Sequence, residues 1–238
     1  MFRWGVLMSA LCFIGATPLP HGYVVFQAIA LDPAVNGTAG TVEILQDERV
    51  TDSLRAIWGN SGAPEMMLEA DDPLLAEIDR EPLREGRVRV VDSANNVLLD
   101  EPLGAALGKI DVAHLYGDGF PTYLVAADFG VGVGSYAGPA TTFMEVRAGK
   151  VSFLTAEGQK ERLSVGSSLK NAWKIIGSEI EVVQCHPEWG QPATNDDPAF
   201  VVEYTSYRFD GKVWRRAWRQ EPGYFEDDGP WPDRAKFP

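Results

Sequence analysis

The chain has 238 residues, of which 45% are hydrophobic and 23% charged, and its formal net charge is −13 at neutral pH. This length suits one domain with a sizeable core, and the composition excludes wholesale disorder. So acidic a chain is repelled by phosphate backbones, which argues against nucleic-acid binding and favours solubility and a basic partner.

In chain order, residues 1–16 read as an export signal. Arg3 supplies a short basic start, and an uncharged apolar run from Trp4 to Ala16 follows, too short to span a bilayer. Cleavage is expected after Ala16 or after Ala30, where Ala28-Ile29-Ala30 has the small-x-small pattern. The organisation that follows is a signal segment at 1–30 and a single mainly β domain at 31–238, ending in an acidic, proline-rich tail. The mature chain is expected in the periplasm or secreted, without a transmembrane segment. Signal removal takes Cys12 and leaves Cys185 as the one thiol, so no internal disulfide can form.

The spacing predicts a strand at 41–46 and short helices at 51–58 and 73–81, the second opened by Asp72-Pro73 and closed by Pro82. From Arg87 onward hairpins dominate. Strands at 87–92 and 97–100 pair, as do 110–115 with 122–128, and 141–147 with 151–154. Strands at 200–209 and 213–219 flank Asp210-Gly211, a sequence suited to a tight primed turn. Leu169, Trp173 and Ile176 align at helical spacing, which predicts a third short helix at 168–176 stopped by Gly177. The fold class expected is mainly β: antiparallel hairpins in a propeller-like or sandwich arrangement, with two or three short helices.

Candidate chemistry is sparse. The three histidines, at 21, 114 and 186, have no ligand spacing. The glycine-spaced segment from Gly130 to Gly138 lacks the spacing and the following helix of a dinucleotide loop, and no P-loop lysine is present. Ser135 is flanked by Val133 and Ala137 where a hydrolase elbow needs glycines. A Ser135–His114–Asp128 triad is conceivable from hairpin order alone. Trp214, Arg216 and Trp218 alternate with Arg215 and Arg219, a basic-aromatic strand suited to receiving the acidic tail on a sheet face.

The hairpin from His114 to Thr122 resembles the calcium-loop hairpins of integrin-type (FG-GAP/VCBS) propeller repeats. The ligand places of that motif fall on His114, Tyr116, Asp118 and Thr122, so only Asp118 keeps a carboxylate, and calcium needs six or more oxygens. The resemblance implies hairpin geometry without the ion. The stretch from Tyr116 to Pro238 is also similar to a family of uncharacterised exported bacterial proteins. It shares Tyr-Gly-Asp-Gly (116–119), Gly-Ser-Tyr-x-Gly-Pro (134–139), Ser-Leu-Lys-x-x-Trp-Lys (168–174) and a Gly-Tyr-Phe-Glu-Asp-Asp tail. That likeness implies export and brings no mechanism.

The functional expectation is a non-enzymatic periplasmic protein-binding domain, such as an immunity or inhibitor protein against a toxin or cell-wall hydrolase. Its candidate recognition loop is Gly134, Ser135, Tyr136 and Gly138, with Asp118 and Asp128 on neighbouring hairpin ends. No cofactor or metal is expected. The alternatives are an envelope glycan or ester hydrolase using loop carboxylates, and a structural envelope component.

Overall fold

A computed structural model describes residues 18–50, 80–116, 119–128, 138–187 and 200–238. Among the described residues the fold is three antiparallel sheets built in chain order. The first holds β1 (Tyr23–Leu31), β2 (Gly40–Asp47), β3 (Arg87–Asp92) and β4 (Val97–Pro102). The second holds β5 (Leu107–Ala113), β6 (Thr122–Asp128), β7 (Ala140–Arg147) and β8 (Lys150–Phe153), and β9 (Ser164–Gly166) pairs with the start of β7. The third holds β10 (Asn171–Ile176), β11 (Glu179–Pro187), β12 (Phe200–Phe209) and β13 (Trp214–Pro222).

The period of two along each strand decides how the sheets meet. In the second sheet Tyr123, Val125, Met144 and Val146 point one way and pack on Val42, Ile44, Val88 and Val90 of the first. Leu124 and Phe143 point the other way, onto Ile180, Val182, Tyr207 and Trp214 of the third. The second sheet is therefore apolar on both faces, and β6 shows little polar alternation, as strands buried on two sides do. The first seam is also closed by side-chain amides. Gln27 accepts from the Ile110 amide (2.8 Å) and donates to the Ile110 carbonyl (2.6 Å), satisfying the edge of β5. Asn36, at the end of the short helix α1 (Pro33–Asn36), donates to the Val146 carbonyl at 3.0 Å.

Beyond the third sheet lies the C-terminal tail. Phe225 and Phe237 join Ala172, Val183, Cys185, Val202 and Tyr204 in a third cluster, with Trp231 packed against it. The Trp231 indole donates to Glu181 Oε2 (3.0 Å), and Arg234 Nη1 lies 2.9 Å from Glu181 Oε1, an ion pair off the line of a hydrogen bond. Lys170, almost fully buried, holds Glu226 at 2.6 Å and contacts the Tyr224 hydroxyl. Tail and sheet do pair by charge, but mostly with the signs reversed. The tail's Arg234 and Lys236 meet Glu179, Glu181 and Glu221 of the sheet, while Arg215 and Arg216 pair with Glu157, Asp210 and Glu203 instead.

Three local expectations are corrected. Residues 171–176 form strand β10 rather than part of a helix. Trp173 and Ile175 face the second sheet while Ala172 faces the tail, so a two-residue period overrides the helical spacing of Leu169, Trp173 and Ile176. Gly177 takes φ +64° in the two-residue turn to β11, so it reverses a hairpin rather than capping a helix. The Asp210-Gly211 hairpin has a four-residue loop, because Phe209 pairs with Trp214 and the Asp210 carboxylate accepts from the amides of Lys212 and Val213. The positive φ pair of a tight primed turn occurs instead at Ala148 (49°) and Gly149 (71°), between β7 and β8. β1 was not expected as a strand, since it lies within the segment assigned to export. The helix expected at 51–58 falls outside the described residues, as does all but the end of 73–81.

The first sheet carries a charged clasp. Asp47, fully buried at the end of β2, accepts from the Arg49 side chain (2.7 Å) and the Arg84 amide (2.9 Å). Arg49 also donates to the carbonyls of Glu81 (2.8 Å) and Pro82 (3.0 Å). Burial alone would raise the Asp47 pKa, but these hydrogen bonds outweigh it and hold the carboxyl far below the usual carboxylate range.

Candidate functional site

Of the expected recognition residues, Asp128 and Gly138 are described. Gly134, Ser135, Tyr136 and Asp118 lie outside the described residues. Asp128 closes β6 opposite Leu107, and Gly138 sits beside it, just before β7. An added Cβ at Gly138 would fall 1.8 Å from the Ser167 carbonyl oxygen, so this glycine lets two backbones approach before β7 pairs with β9. His114, exposed, follows β5 at the opposite end of the same hairpin, where Ala113 pairs with Thr122. Seven residues of strand at about 3.3 Å each put His114 and Asp128 roughly 20 Å apart. The His114–Asp128 half of the conceivable triad is thereby excluded.

The described residues instead gather polar chemistry in the seam between the second and third sheets. Phe143, Glu145 and Arg147 share one face of β7. Phe143 is buried against Trp173, but the next two positions toward the hairpin end are charged. There the seam opens into a cleft of about 680 Å³, walled by Tyr116, Phe153, Phe209 and Trp214 and lined by Glu145, Arg147 and Lys212. Tyr116 meets Phe209 edge-on (4.8 Å between ring centres) and Trp214 at 5.8 Å, and Arg147 lies over the Tyr116 ring at 4.9 Å.

Glu145 is the unusual group in this cleft. It is only 5% exposed, and its Oε2 accepts from Arg147 Nε at 2.9 Å. Its other oxygen, Oε1, is buried out of reach of solvent. The Tyr116 hydroxyl accepts from the Trp214 indole at 3.1 Å and turns its own proton toward the Glu145 carboxylate. Burial first, and then the neighbouring Glu145, push the Tyr116 pKa well above that of an ordinary phenol. Among the described residues no group of three or more histidine, cysteine or acidic side chains converges as metal ligands would.

Sequence reasoning named Tyr116 and Trp214 but passed over Glu145. The available signal was an acid and a base two residues apart on the inward face of a strand otherwise apolar.

A second surface is the outer edge of the third sheet. β13 pairs with β12 along its length, and Trp214 is bridged by Ala156. From Arg215 to Pro222, among the described residues, β12 is its only strand partner, and most of these residues are exposed. Trp218 stands 53% exposed at the middle of this edge.

No protein-family model, curated protein or solved structure matches the chain.

Proposed function

We propose that the protein is an exported, non-enzymatic protein-binding domain that engages its partner through the free edge of β13. The observation that carries this reading is Trp218, an indole 53% exposed on an edge strand that also bears Arg215, Arg216 and Arg219. Tryptophan and arginine dominate binding hot spots, and an open strand edge offers backbone donors and acceptors to an incoming chain. The net charge of −13 steers a basic partner toward the molecule as a whole, and at the edge itself Arg215 and Arg216 are already offset by Glu157, Asp210 and Glu203. An immunity or inhibitor protein directed at a basic toxin or cell-wall hydrolase fits that description. The Ser135–Tyr136 loop is retained as a second contact.

Export rests on the N-terminal pattern and on the likeness to exported bacterial proteins. Cleavage after Ala16 leaves β1 intact, whereas cleavage after Ala30 removes all of it but Leu31. Three successive meanders, each packed on the next, favour the propeller-like arrangement over a two-sheet sandwich. The test is affinity capture of the tagged protein from a periplasmic extract, in parallel with Trp218→Ala and Tyr136→Ala. Loss of the captured protein with Trp218→Ala, at unchanged melting temperature, supports the edge. Loss with Tyr136→Ala alone moves the contact to the loop, and capture unaltered by both sinks the reading.

A further inference from the structure

We infer that a second copy of this chain docks on the β13 edge, in an antiparallel pairing of two β13 strands about a two-fold axis through Trp218. The inference rests on the reading of β13 as a contact edge and names what fills that edge when no target is present. Backbone groups point alternately to the two sides of a strand. The Asp210 amide donates to the Val213 carbonyl (3.1 Å) and the Gly223 amide to the Phe200 carbonyl (3.0 Å), so the odd-numbered residues of β13 bond toward β12. The even-numbered ones point outward, and the Trp214 carbonyl accepts there from the Glu157 amide at 2.7 Å. That bridge closes one end of the edge, and Pro222, which has no N–H, closes the other. The groups left open are the N–H and C=O of Arg216, Trp218 and Gln220, a set symmetric about Trp218 and complementary to itself.

Charge and size select the same register. With Trp218 opposite Trp218, Arg216 faces Gln220 and Arg215 faces Glu221, while the long Arg219 side chain faces the small Ala217. Moving the axis to Ala217 sets Arg215 against Arg219. Moving it to Arg216 or Arg219 sets that arginine against its own copy, and like charges directly opposite are unfavourable. An axis at Gln220 brings Pro222 into the ladder, where it has no donor to give. Arg215 and Glu221 already hold ion pairs within their own chain, so their match avoids repulsion rather than adding a strong bridge. The two indoles, each 53% exposed in the single chain, meet across the axis as an aromatic pair. The dimer joins two four-stranded sheets into one and covers both open edges.

The test is sedimentation velocity of the purified chain over roughly 1–200 µM. The expected result is a concentration-dependent dimer, weakened about tenfold or more in both Trp218→Ala and Gln220→Pro, with circular dichroism unchanged. Gln220 bonds outward, so proline there removes a donor to the second copy and leaves the β12 ladder whole. The register is read by mixing and oxidising Arg216→Cys and Gln220→Cys chains, which should join through those two positions, identified by mass spectrometry of the linked peptides. A monomer across the whole range overturns the inference. So does a dimer unaffected by both variants, or Arg216→Cys chains that join to one another at that position. Partner capture with Trp218→Ala separates this outcome from the reading above. A monomer that loses its captured target with the variant keeps the contact edge and removes the second copy. An edge-dependent dimer with capture unaltered keeps the second copy and removes the target.

Discussion

The two seams of this molecule are built from the same sheet and end up different. Against the first sheet, β6 and β7 present Tyr123, Val125, Met144 and Val146, and side-chain amides of Gln27, Asn36 and Gln46 reach backbone carbonyls of the second sheet. Against the third, the same strands present Leu124 and Phe143, and then Glu145 and Arg147. The seams differ in charge rather than in completeness: Gln46 Oε1 at the first has no hydrogen-bond partner, and the Glu145 carboxylate at the second is shared by Arg147 and the Tyr116 hydroxyl.

The largest expected effect tests whether both seams carry the fold. Phe143→Ala, fully buried between the second and third sheets, should destabilise by about 3–5 kcal/mol in urea unfolding. A loss below about 1 kcal/mol would mean that the open seam is not structural at all.

Asp47→Asn tests the buried carboxylate that two arginines hold, against Glu145, which one holds. It should cost about 3 kcal/mol at neutral pH, because both arginines lose their charged acceptor. The folded carboxyl is depressed, so its stabilisation is present above the ordinary carboxylate range near pH 4 and fades as pH falls below it. Melting curves of wild type and variant should therefore converge in acid; a gap that persists unchanged would refute the assignment.

Gln27→Ala should cost about 1–3 kcal/mol by leaving the Ile110 amide and carbonyl without their partner. Faster hydrogen exchange at the Ile110 amide is the local readout. Glu145→Met, by contrast, should change stability by less than about 1 kcal/mol in either direction, since Arg147 is 46% exposed and stays solvated when the ion pair is lost. If Glu145→Met proves as damaging as Gln27→Ala, the contrast between the seams collapses.

Much of the strand pattern was legible. Strands at 87–92, 122–128 and 200–209 match their predicted bounds because alternating or continuous apolar runs there are bracketed by turn residues. Residues 168–176 misled because Leu169, Trp173 and Ile176 fit the helical period while Trp173 and Ile175 fit a period of two, and only packing of that second pair on the second sheet decides between them. β1 was hidden because an apolar stretch near a signal-like start reads as part of the signal. The cleft was harder to see. Tyr116, Glu145, Phe209 and Trp214 are far apart in sequence, and nothing local indicates that a β5–β6 turn and a β12–β13 hairpin face one another. A single acid within 141–147 reads as an outward residue until β7 is known to be covered on both sides.

The clasp around Asp47 has a consequence for how the chain tolerates being cut. Arg49 reaches the carbonyls of Glu81 and Pro82, so the residues that lead into 51–79 are bonded to those that lead out of it. β2 and β3, on either side, form a continuous ladder from Gly40–Asp92 to Leu45–Arg87. Severing the backbone anywhere between 51 and 79 should yield two fragments that co-migrate in gel filtration and separate only on denaturation. The first two strands would then behave as a detachable subunit, able to complement the rest of the protein in trans.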